Sequence, residues 1–242
     1  MMSALAERLE AVRLEIAAAC HRANRSTDSV TLIAVSKTHP SSVIQEAISY
    51  GQLDFGESRV EEALRKISEI GGAATWHMIG HVQSRKAKDV IALFDCVHSL
   101  DSARLAERYA RLLAEGVRDS RPFRALIEVN ISGELTKSGV QAANWQDNRA
   151  VRETLWAEVR QMVGLPRVEV EGLMTIAPIV SDPEQARPYF ASLRALRDAL
   201  AEDFPQATWD CLSMGMTDDY PIAIEEGATH IRVGRAIFGE RS

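Results

Sequence analysis

The stretch Thr31-Leu-Ile-Ala-Val-Ser-Lys37-Thr-His-Pro40 decides the fold, because it joins an apolar run to a polar residue. The apolar residues at 32–35 are typical of a short strand buried on both faces, as in a parallel sheet. Pro40 cannot continue such a strand. The stretch therefore predicts that Lys37 lies at the carboxyl end of a buried strand, where α/β folds hold their functional groups.

The same alternation of strand and helix recurs along the whole chain. Apolar residues spaced three or four apart predict helices between the strand-like runs. The strands predicted after the first are 53–56, 75–80, 94–99, 124–130, 168–176, 208–213 and 229–234. Such strand–helix units in a chain of 242 residues predict an α/β fold, a (β/α)8 TIM barrel, whose typical length is about 250 residues.

An additional helix precedes the barrel. Leu5, Leu9, Val12 and Ile16 are three or four apart and predict an amphipathic helix within residues 1–28 that packs on the barrel. No linker or change in composition divides the sequence, so a single domain is expected. An open doubly wound sheet is the alternative architecture, although no G-x-G-x-x-G motif follows the first strand.

The composition excludes several classes of protein. The formal net charge of −6 at pH 7 argues against general nucleic-acid binding, because no long cluster of Lys and Arg offsets it. No apolar run approaches the ~18 residues of a membrane span, and the start lacks the apolar core of a signal peptide. Three widely spaced cysteines indicate a reducing compartment. We therefore expect a cytoplasmic protein that binds neither nucleic acid nor membranes.

Lysines are scarce among the 28 basic residues. Lys66 lies within a predicted helix, and Lys86 and Lys88 lie in or near another, so all three are predicted to be solvated. Lys137 lies in a polar, glycine-bearing loop and is predicted to be a mobile cation over the barrel mouth. Only Lys37 emerges from an apolar strand into a pocket, where burial and neighbouring cations lower the pKa of an amine and favour its reaction with a carbonyl.

Two glycine-bearing loops, 213–219 and 233–236, follow the seventh and eighth predicted strands. Gly215 and Gly234 let the backbone approach a bound anion closely, and amides at the start of each following helix would point at it. Loops in these positions form the recurrent phosphate site of barrels. Ordinary turns between strand and helix also favour Ser and Gly, which is the alternative interpretation.

Arg232 is predicted to point into the barrel interior. It alternates with Ile231 and Val233, which are expected to pack against the outer helices. An unpaired buried cation is costly, so Arg232 needs either a protein carboxylate or an acceptor on a ligand.

Two other kinds of site are not predicted. His77 and His81 are four residues apart, but they bracket the end of a strand, and no Glu or Cys in the sequence nearby completes a metal site. The G-x-S-x-G motif of serine hydrolases is absent from the sequence. No bound metal and no serine nucleophile are therefore expected.

Seven motifs together resemble the YggS/PROSC family of pyridoxal phosphate homeostasis proteins. They are AVSKTHP (34–40), FGESRVEE (55–62), WHMIGHVQSRKAK (76–88), EVNISGELTKSGV (128–140), GLMTIAP (172–178), LSMGMTDD (212–219) and IRVGRAIFG (231–239). The resemblance covers nearly the whole chain. These proteins are similar to the barrel domain of alanine racemases, so the resemblance implies one barrel domain, residues 1–242, that binds pyridoxal 5′-phosphate (PLP).

The resemblance also implies roles for individual residues. Lys37 matches the lysine that holds PLP as a Schiff base, and Arg232 matches the arginine that faces the pyridine nitrogen. Ser213, Gly215, Met216, Gly234 and Arg235 match the phosphate-binding loops, and His77, Asn130 and Met174 match the pocket lining. Ser58 stands where the family commonly has Asn, and His81 stands where a proline is usual.

The function implied by the resemblance is non-catalytic: PLP binding, homeostasis and delivery to apo-enzymes, with no catalytic residue. An arginine beside the pyridine nitrogen disfavours its protonation and makes the ring a weaker electron sink. Racemases take a second base, a tyrosine, from another domain across a dimer. Since this sequence ends at Ser242, we expect that domain to be absent and the protein to be a monomer.

Two alternative functions remain open at this stage. One is a PLP-dependent amino-acid racemase of low activity, and the other is a phosphosugar barrel enzyme that uses no cofactor. Lys137 is conjectured to assist release or transient binding of the cofactor.

Overall fold

The computed structural model describes residues 3–239, in which eight parallel strands close into a barrel. The last strand pairs with the first, with Ile33 opposite Arg232, and this pairing excludes an open sheet. The predicted (β/α)8 barrel is confirmed. The strands are β1 (Thr31–Val35), β2 (Asp54–Glu57), β3 (Thr75–Met78), β4 (Cys96–Leu100), β5 (Phe123–Asn130), the short β6 (Val140–Gln141) that pairs with β5 outside the barrel, β7 (Val168–Met174), β8 (Cys211–Ser213) and β9 (His230–Val233).

Helices alternate with the strands along the chain. They are α1 (Ala4–Arg22), α2 (Ser41–Ser49), α3 (Val60–Ile70), α4 (Ala87–Leu93), α5 (Ala103–Ala114), α6 (Arg149–Val163), α7 (Arg187–Asp203), α8 (Tyr220–Glu225) and α9 (Arg235–Phe238). Between residues 3 and 239, none of these helices combines the length and the apolar character needed to cross a membrane.

Helix α1 packs against the helices that end the barrel. Its apolar face, which includes Leu9, is buried. The Arg8 Nε donates a hydrogen bond to the carbonyl oxygen of Ile237 in α9 at 2.7 Å, and the Arg22 Nε donates to the Oε1 of Glu225 in α8 at 2.6 Å. The first helix is therefore held by the last two.

Strand β8 is shorter than predicted. The strand predicted over 208–213 begins at Cys211. Trp209, which lies within the predicted range, is 6% exposed, and its indole donates to the carbonyl oxygen of Phe204 at 3.0 Å. The apolar side chain is buried by packing beside the barrel, without strand pairing of its backbone.

The barrel interior contains polar side chains. Arg232 points inward and is 5% exposed, while its neighbours on β9 pack in the main apolar cluster. The imidazoles of His77, His98 and His230, from β3, β4 and β9, face one another with ring centroids 5.0 to 6.4 Å apart. These strands contribute apolar side chains to the surrounding helices and polar side chains to the interior.

Candidate functional site

A cavity of about 800 Å³ opens at the carboxyl ends of the barrel strands. Lys37, two residues after the end of β1, lines one wall, and Arg232 of β9 lines another. The loops after β8 and β9 complete the lining. The predicted site residues that line the cavity are Lys37, Ser58, Asn130, Met216, Arg232, Gly234 and Arg235.

The other four predicted site residues are not among those that line the cavity. His77 and Met174 lie in the barrel interior and are 2% and 1% exposed, and Ser213 is fully buried. Gly215 shapes the loop after β8: its φ of +93° favours glycine, and a Cβ there would lie 2.6 Å from the Cβ of Ala223. These four residues lie outside the cavity wall and support it.

The turn that carries Lys37 is fixed on both sides. Ser36 is fully buried, and its hydroxyl donates to the Oε1 of Glu57 at 2.6 Å. Thr38 has a φ of +72°, which is unusual for a β-branched residue, and its amide donates to the carboxylate of Glu62. Two carboxylates, one in β2 and one in α3, therefore hold the backbone before and after Lys37.

Lys66 links these two carboxylates. The prediction that Lys66 is solvated is wrong, because its side chain is 0% exposed. The Lys66 Nζ donates to the Oε1 of Glu57 at 2.6 Å and to the Oε1 of Glu62 at 2.7 Å. It also donates to the carbonyl oxygen of Ser36 at 2.7 Å. A buried lysine with three oxygen partners is a structural cation, and this one holds the Lys37 turn in place.

The sequence did contain a signal for this burial. Val60, Ala63 and Lys66 are three residues apart and form the buried face of α3. Leu64, although apolar, lies outside that face and is 52% exposed. The spacing places Lys66 on the buried face of the helix although its side chain is charged. A lysine in such a position, four residues after Glu62, indicates a buried ion pair.

Arg232 is a buried cation held by uncharged groups. Its Nη1 donates to the Oγ of Ser213 at 2.6 Å and its Nη2 to the carbonyl oxygen of Thr175 at 2.8 Å. Burial lowers the pKa of Arg232 to about 10, although Asp219 and Glu128 oppose that shift. It therefore stays charged at neutral pH. Within residues 3–239 no carboxylate forms an ion pair with it, so its charge can serve an acceptor on a ligand.

Glu128 is a cavity residue that sequence reasoning missed. It lines the cavity, is 6% exposed, and its Oε2 has no hydrogen-bond partner within the described chain. Burial and the charge of Asp101 raise the pKa of Glu128 to about 7 against the opposing effect of Arg232. The signal was strand alternation, because Glu128 lies two residues before Asn130 on the same face of β5.

The loops after β8 and β9 are tied together below the cavity rim. The amide of Met216 donates to the Oδ1 of Asp219 at 2.6 Å, so this amide is already occupied. Arg235 forms an ion pair with Asp218, which connects the two loops. Within the described chain, the amides of Arg235 and Ala236 at the start of α9 donate no hydrogen bond. These groups provide a cationic side chain and two amides at one end of the cavity.

Asn130 shapes the loop that lies over the cavity. Its Nδ2 donates to the carbonyl oxygen of Glu134 at 2.9 Å, and its Oδ1 accepts from the amide of Gly133 at 2.9 Å. In the same loop, the Lys137 Nζ donates to the carbonyl oxygen of Ile176 at 3.1 Å and pairs with Glu134. Lys137 thus lies at the cavity rim, as expected for a cation over the barrel mouth; its mobility stays a prediction.

A cluster of imidazoles and a thiol lies inside the barrel. The ligand atoms of His77, Cys96 and His98 lie within 4.8 Å of one another, as metal ligands do. However, the His77 Nδ1 is already 3.0 Å from the His98 Nε2, in hydrogen-bond contact. Burial also raises the pKa of the Cys96 thiol, which disfavours the thiolate that a metal prefers. Hydrogen bonding accounts for this cluster without a metal.

Sequence comparisons agree with this geometry. A family model described as "Alanine racemase, N-terminal domain" matches residues 8–242. The pyridoxal phosphate homeostasis protein of Aquifex aeolicus is 39% identical over 236 residues, 97% of each chain. That of Escherichia coli K12 is 38% identical over 244 residues, 99% of this chain and 98% of the relative.

Comparisons with solved structures give the same grouping. PipY of Synechococcus elongatus without PLP has a TM-score of 0.82 at 38% identity, covering 97% of this chain and 100% of that one. PipY with PLP bound has a TM-score of 0.80 at 37% identity with the same coverage. An alanine racemase of Clostridium difficile, 11% identical with a TM-score of 0.64, covers 88% of this chain and 53% of that one and shares the fold. The chain therefore belongs to the alanine racemase N-terminal domain family and, within it, to the pyridoxal phosphate homeostasis proteins.

Proposed function

We propose that this chain binds PLP in the cavity as a Schiff base on Lys37, and that it acts in PLP homeostasis and delivery rather than turnover. The observation that carries the proposal is the meeting of Lys37, Arg232 and the two glycine-bearing loops around one cavity. The protein acts in the cytoplasm as a monomer and passes the cofactor to apo-enzymes.

The residues of the cavity fit the three polar groups of PLP. Bound PLP supplies an aldehyde, which joins an amine with loss of water, together with a pyridine nitrogen and a phosphate. Lys37 provides the amine. Arg232 provides a buried cation without an ion-pair partner among the described residues, suited to an unprotonated ring nitrogen. Arg235 and the amides at the start of α9 provide donors for an anion.

The relatives support the same ligand. The PipY structure with PLP bound has nearly the same chain length and fold as this protein. The curated relatives carry the name pyridoxal phosphate homeostasis protein. Both support a binding function for the cavity of this chain.

The rim of the cavity supports delivery to another protein. Leu135 and Ile179 are each 99% exposed. Ile179 lines the cavity, and Leu135 lies two residues before Lys137, which also lines it. Exposed aliphatic side chains at the exit supply an apolar contact for an apo-enzyme. Replacing Leu135, which does not line the cavity, by Ser is expected to slow transfer of PLP to an apo-enzyme and to leave its spontaneous release unchanged. Equal transfer rates would remove this part of the proposal.

The decisive experiment locates the modified lysine. PLP is added to the wild type, to Lys37→Ala and to Lys88→Ala, an exposed control, and absorbance is recorded before and after borohydride reduction. The wild type and the control are expected to show the Schiff-base band, with the reduced adduct mapped to Lys37. The proposal fails if Lys37→Ala retains the band or if the wild type never forms it.

Glu128 is the observation that favours the alternative, an amino-acid racemase of low activity. It places a buried carboxyl with a pKa raised to about 7 in the cavity wall, where it could move a proton. Incubation of the PLP-loaded protein with L-amino acids in deuterated water decides between the two functions. Exchange at the α-carbon at enzymatic rates, abolished in Glu128→Gln, would favour the racemase.

A further inference from the structure

A continuous chain of hydrogen bonds crosses the barrel from one end to the other. It begins at Asp54, the first residue of β2, whose side chain is 32% exposed. The Asp54 Oδ1 is 3.0 Å from the His77 Nε2, and the His77 Nδ1 is 3.0 Å from the His98 Nε2. The His98 Nδ1 is 2.8 Å from the Oγ of Ser213, which accepts from Arg232 at 2.6 Å. Arg232 then lines the cavity.

The chemistry of the groups at its two ends fixes the direction of donation in this series of hydrogen bonds. An ionised Asp54 only accepts hydrogen bonds, so His77 donates to it from Nε2. When each imidazole carries one proton, the His77 Nδ1 must accept, and His98 must donate to it from Nε2. The His98 Nδ1 then accepts from the hydroxyl of Ser213. The lone pairs of the Ser213 oxygen are then free to accept a hydrogen bond from the Arg232 guanidinium, which can only donate.

The burial of the central members keeps this direction fixed. His98 and Ser213 are 0% exposed, so no solvent competes for their hydrogen bonds. Burial, together with the neighbouring His77 and His230, holds the pKa of His98 well below its usual range. In the opposite direction, the buried Ser213 hydroxyl would lose its acceptor, which is costly.

We propose that Asp54, His77, His98 and Ser213 are positioning residues for Arg232. Their hydrogen bonds all point in one direction and form a relay, through which the Asp54 carboxylate polarises the groups that contact Arg232 at the cavity. Each hydrogen bond in the relay polarises the next, so the distant carboxylate makes the Ser213 oxygen a better acceptor. The guanidinium is thereby held in place and supported as a cation, although no carboxylate among the described residues forms an ion pair with it. A direct ion pair would instead occupy the charge that the ligand needs.

The effect on PLP rests on the proposed function, whereas the relay itself is testable without PLP. Long-range ¹H–¹⁵N spectra of the apo-protein report the tautomer of each histidine, with assignments from His77→Gln and His98→Gln. We expect both His77 and His98 to carry the proton on Nε2. A proton on the Nδ1 of His98 would overturn the directional relay, whatever the protein binds.

A double-mutant cycle tests the coupling to the cavity. Ser213→Ala removes a hydrogen bond to a charged group and is expected to weaken the apparent Kd for PLP about 10-fold. Asp54→Ala is expected to weaken it about 3-fold because its influence passes through three intermediates. Asp54→Asn, which keeps an oxygen acceptor, should stay within about 2-fold of the wild type. Asp210→Asn removes an exposed carboxylate beside β8 outside the relay and is the charge-matched control.

The pattern of the double mutant separates a relay from independent packing effects. Residues that do not touch normally give additive effects on free energy. In a relay, the Asp54→Ala change should have no further effect once Ser213→Ala has broken the chain. An additive loss of about 30-fold in the double mutant would overturn the proposal. If the wild type fails to bind PLP, the proposed function falls while the tautomer experiment still decides on the relay.

Discussion

The two walls of the cavity hold a buried cation in opposite ways. On the Lys37 side, Lys66 is paired with two carboxylates, Glu57 and Glu62, at 2.6 and 2.7 Å. On the Arg232 side, the guanidinium contacts a hydroxyl and a carbonyl oxygen. The difference teaches that the partners, more than burial, decide the role of a cation. A cation paired with carboxylates fixes the backbone, whereas one held by dipoles keeps its charge available to a ligand.

The largest expected effect comes from removing Lys66, the cation that is paired with carboxylates on the Lys37 side of the cavity. Lys66→Met would leave the fully buried Glu57 and the largely buried Glu62 without their cation. We expect the free energy of unfolding of the apo-protein to fall by about 3–5 kcal/mol, measured by urea denaturation. Lys88→Met, an exposed lysine on α4, is the control and should change it by less than about 0.5 kcal/mol. A loss below about 1 kcal/mol for Lys66→Met would contradict a structural role.

The second prediction concerns the pH dependence that Glu128 imposes. Its pKa rises from 4.5 when unfolded to about 7 when folded. Below pH 4.5 the carboxyl is protonated in both states. As the pH rises towards 7 only the unfolded form ionises, so stability is lost across this window and then levels off.

Glu128→Gln should remove this loss. Relative to the wild type, the apo-variant is expected to gain up to about 3 kcal/mol in free energy of unfolding between pH 4 and pH 8. Denaturation at several pH values measures the gain, and Glu10→Gln, at an exposed position of α1, is the control. A difference between variant and wild type that does not change with pH would show that Glu128 titrates normally.

The third prediction tests the Arg232 side of the cavity, where uncharged groups hold the guanidinium. Arg232→Met removes a desolvated cation and leaves only the Ser213 hydroxyl and the Thr175 carbonyl oxygen without a donor. The free energy of unfolding of the apo-protein should therefore change by less than about 1.5 kcal/mol, while PLP binding is lost. If Arg232→Met destabilised the protein as much as Lys66→Met, Asp219 and Glu128 would be acting as its counter-ions, and the contrast between the walls would disappear.

The smallest effect is expected at the rim, outside both walls. Lys137→Ala removes the hydrogen bond to the Ile176 carbonyl oxygen and the ion pair with Glu134. Because these contacts are partly exposed, unfolding should change by less than about 0.5 kcal/mol. The off-rate of PLP, measured by transfer to an excess of trapping amine, is expected to fall about 2-fold. An unchanged off-rate removes Lys137 from the release step.

Local patterns were enough to predict the barrel and the place of Lys37. The alternation of apolar runs and helical spacing reflects burial of each element separately, so it can be read along the chain. The contacts of Lys66 and of the relay could not be read that way. His98 meets Ser213 across the barrel at a separation of 115 residues, and only closure of the sheet brings the two side chains together.

The packing of the last two helices against α1 affects how the chain folds during synthesis. The Arg8 contact with Ile237 spans 229 residues, and β1 completes its pairing only when β9 is present. The first helix therefore leaves the ribosome long before the surface that covers its apolar face exists. Until the final strand is added, the nascent chain exposes an apolar helix and an unpaired strand edge, the features that chaperones recognise.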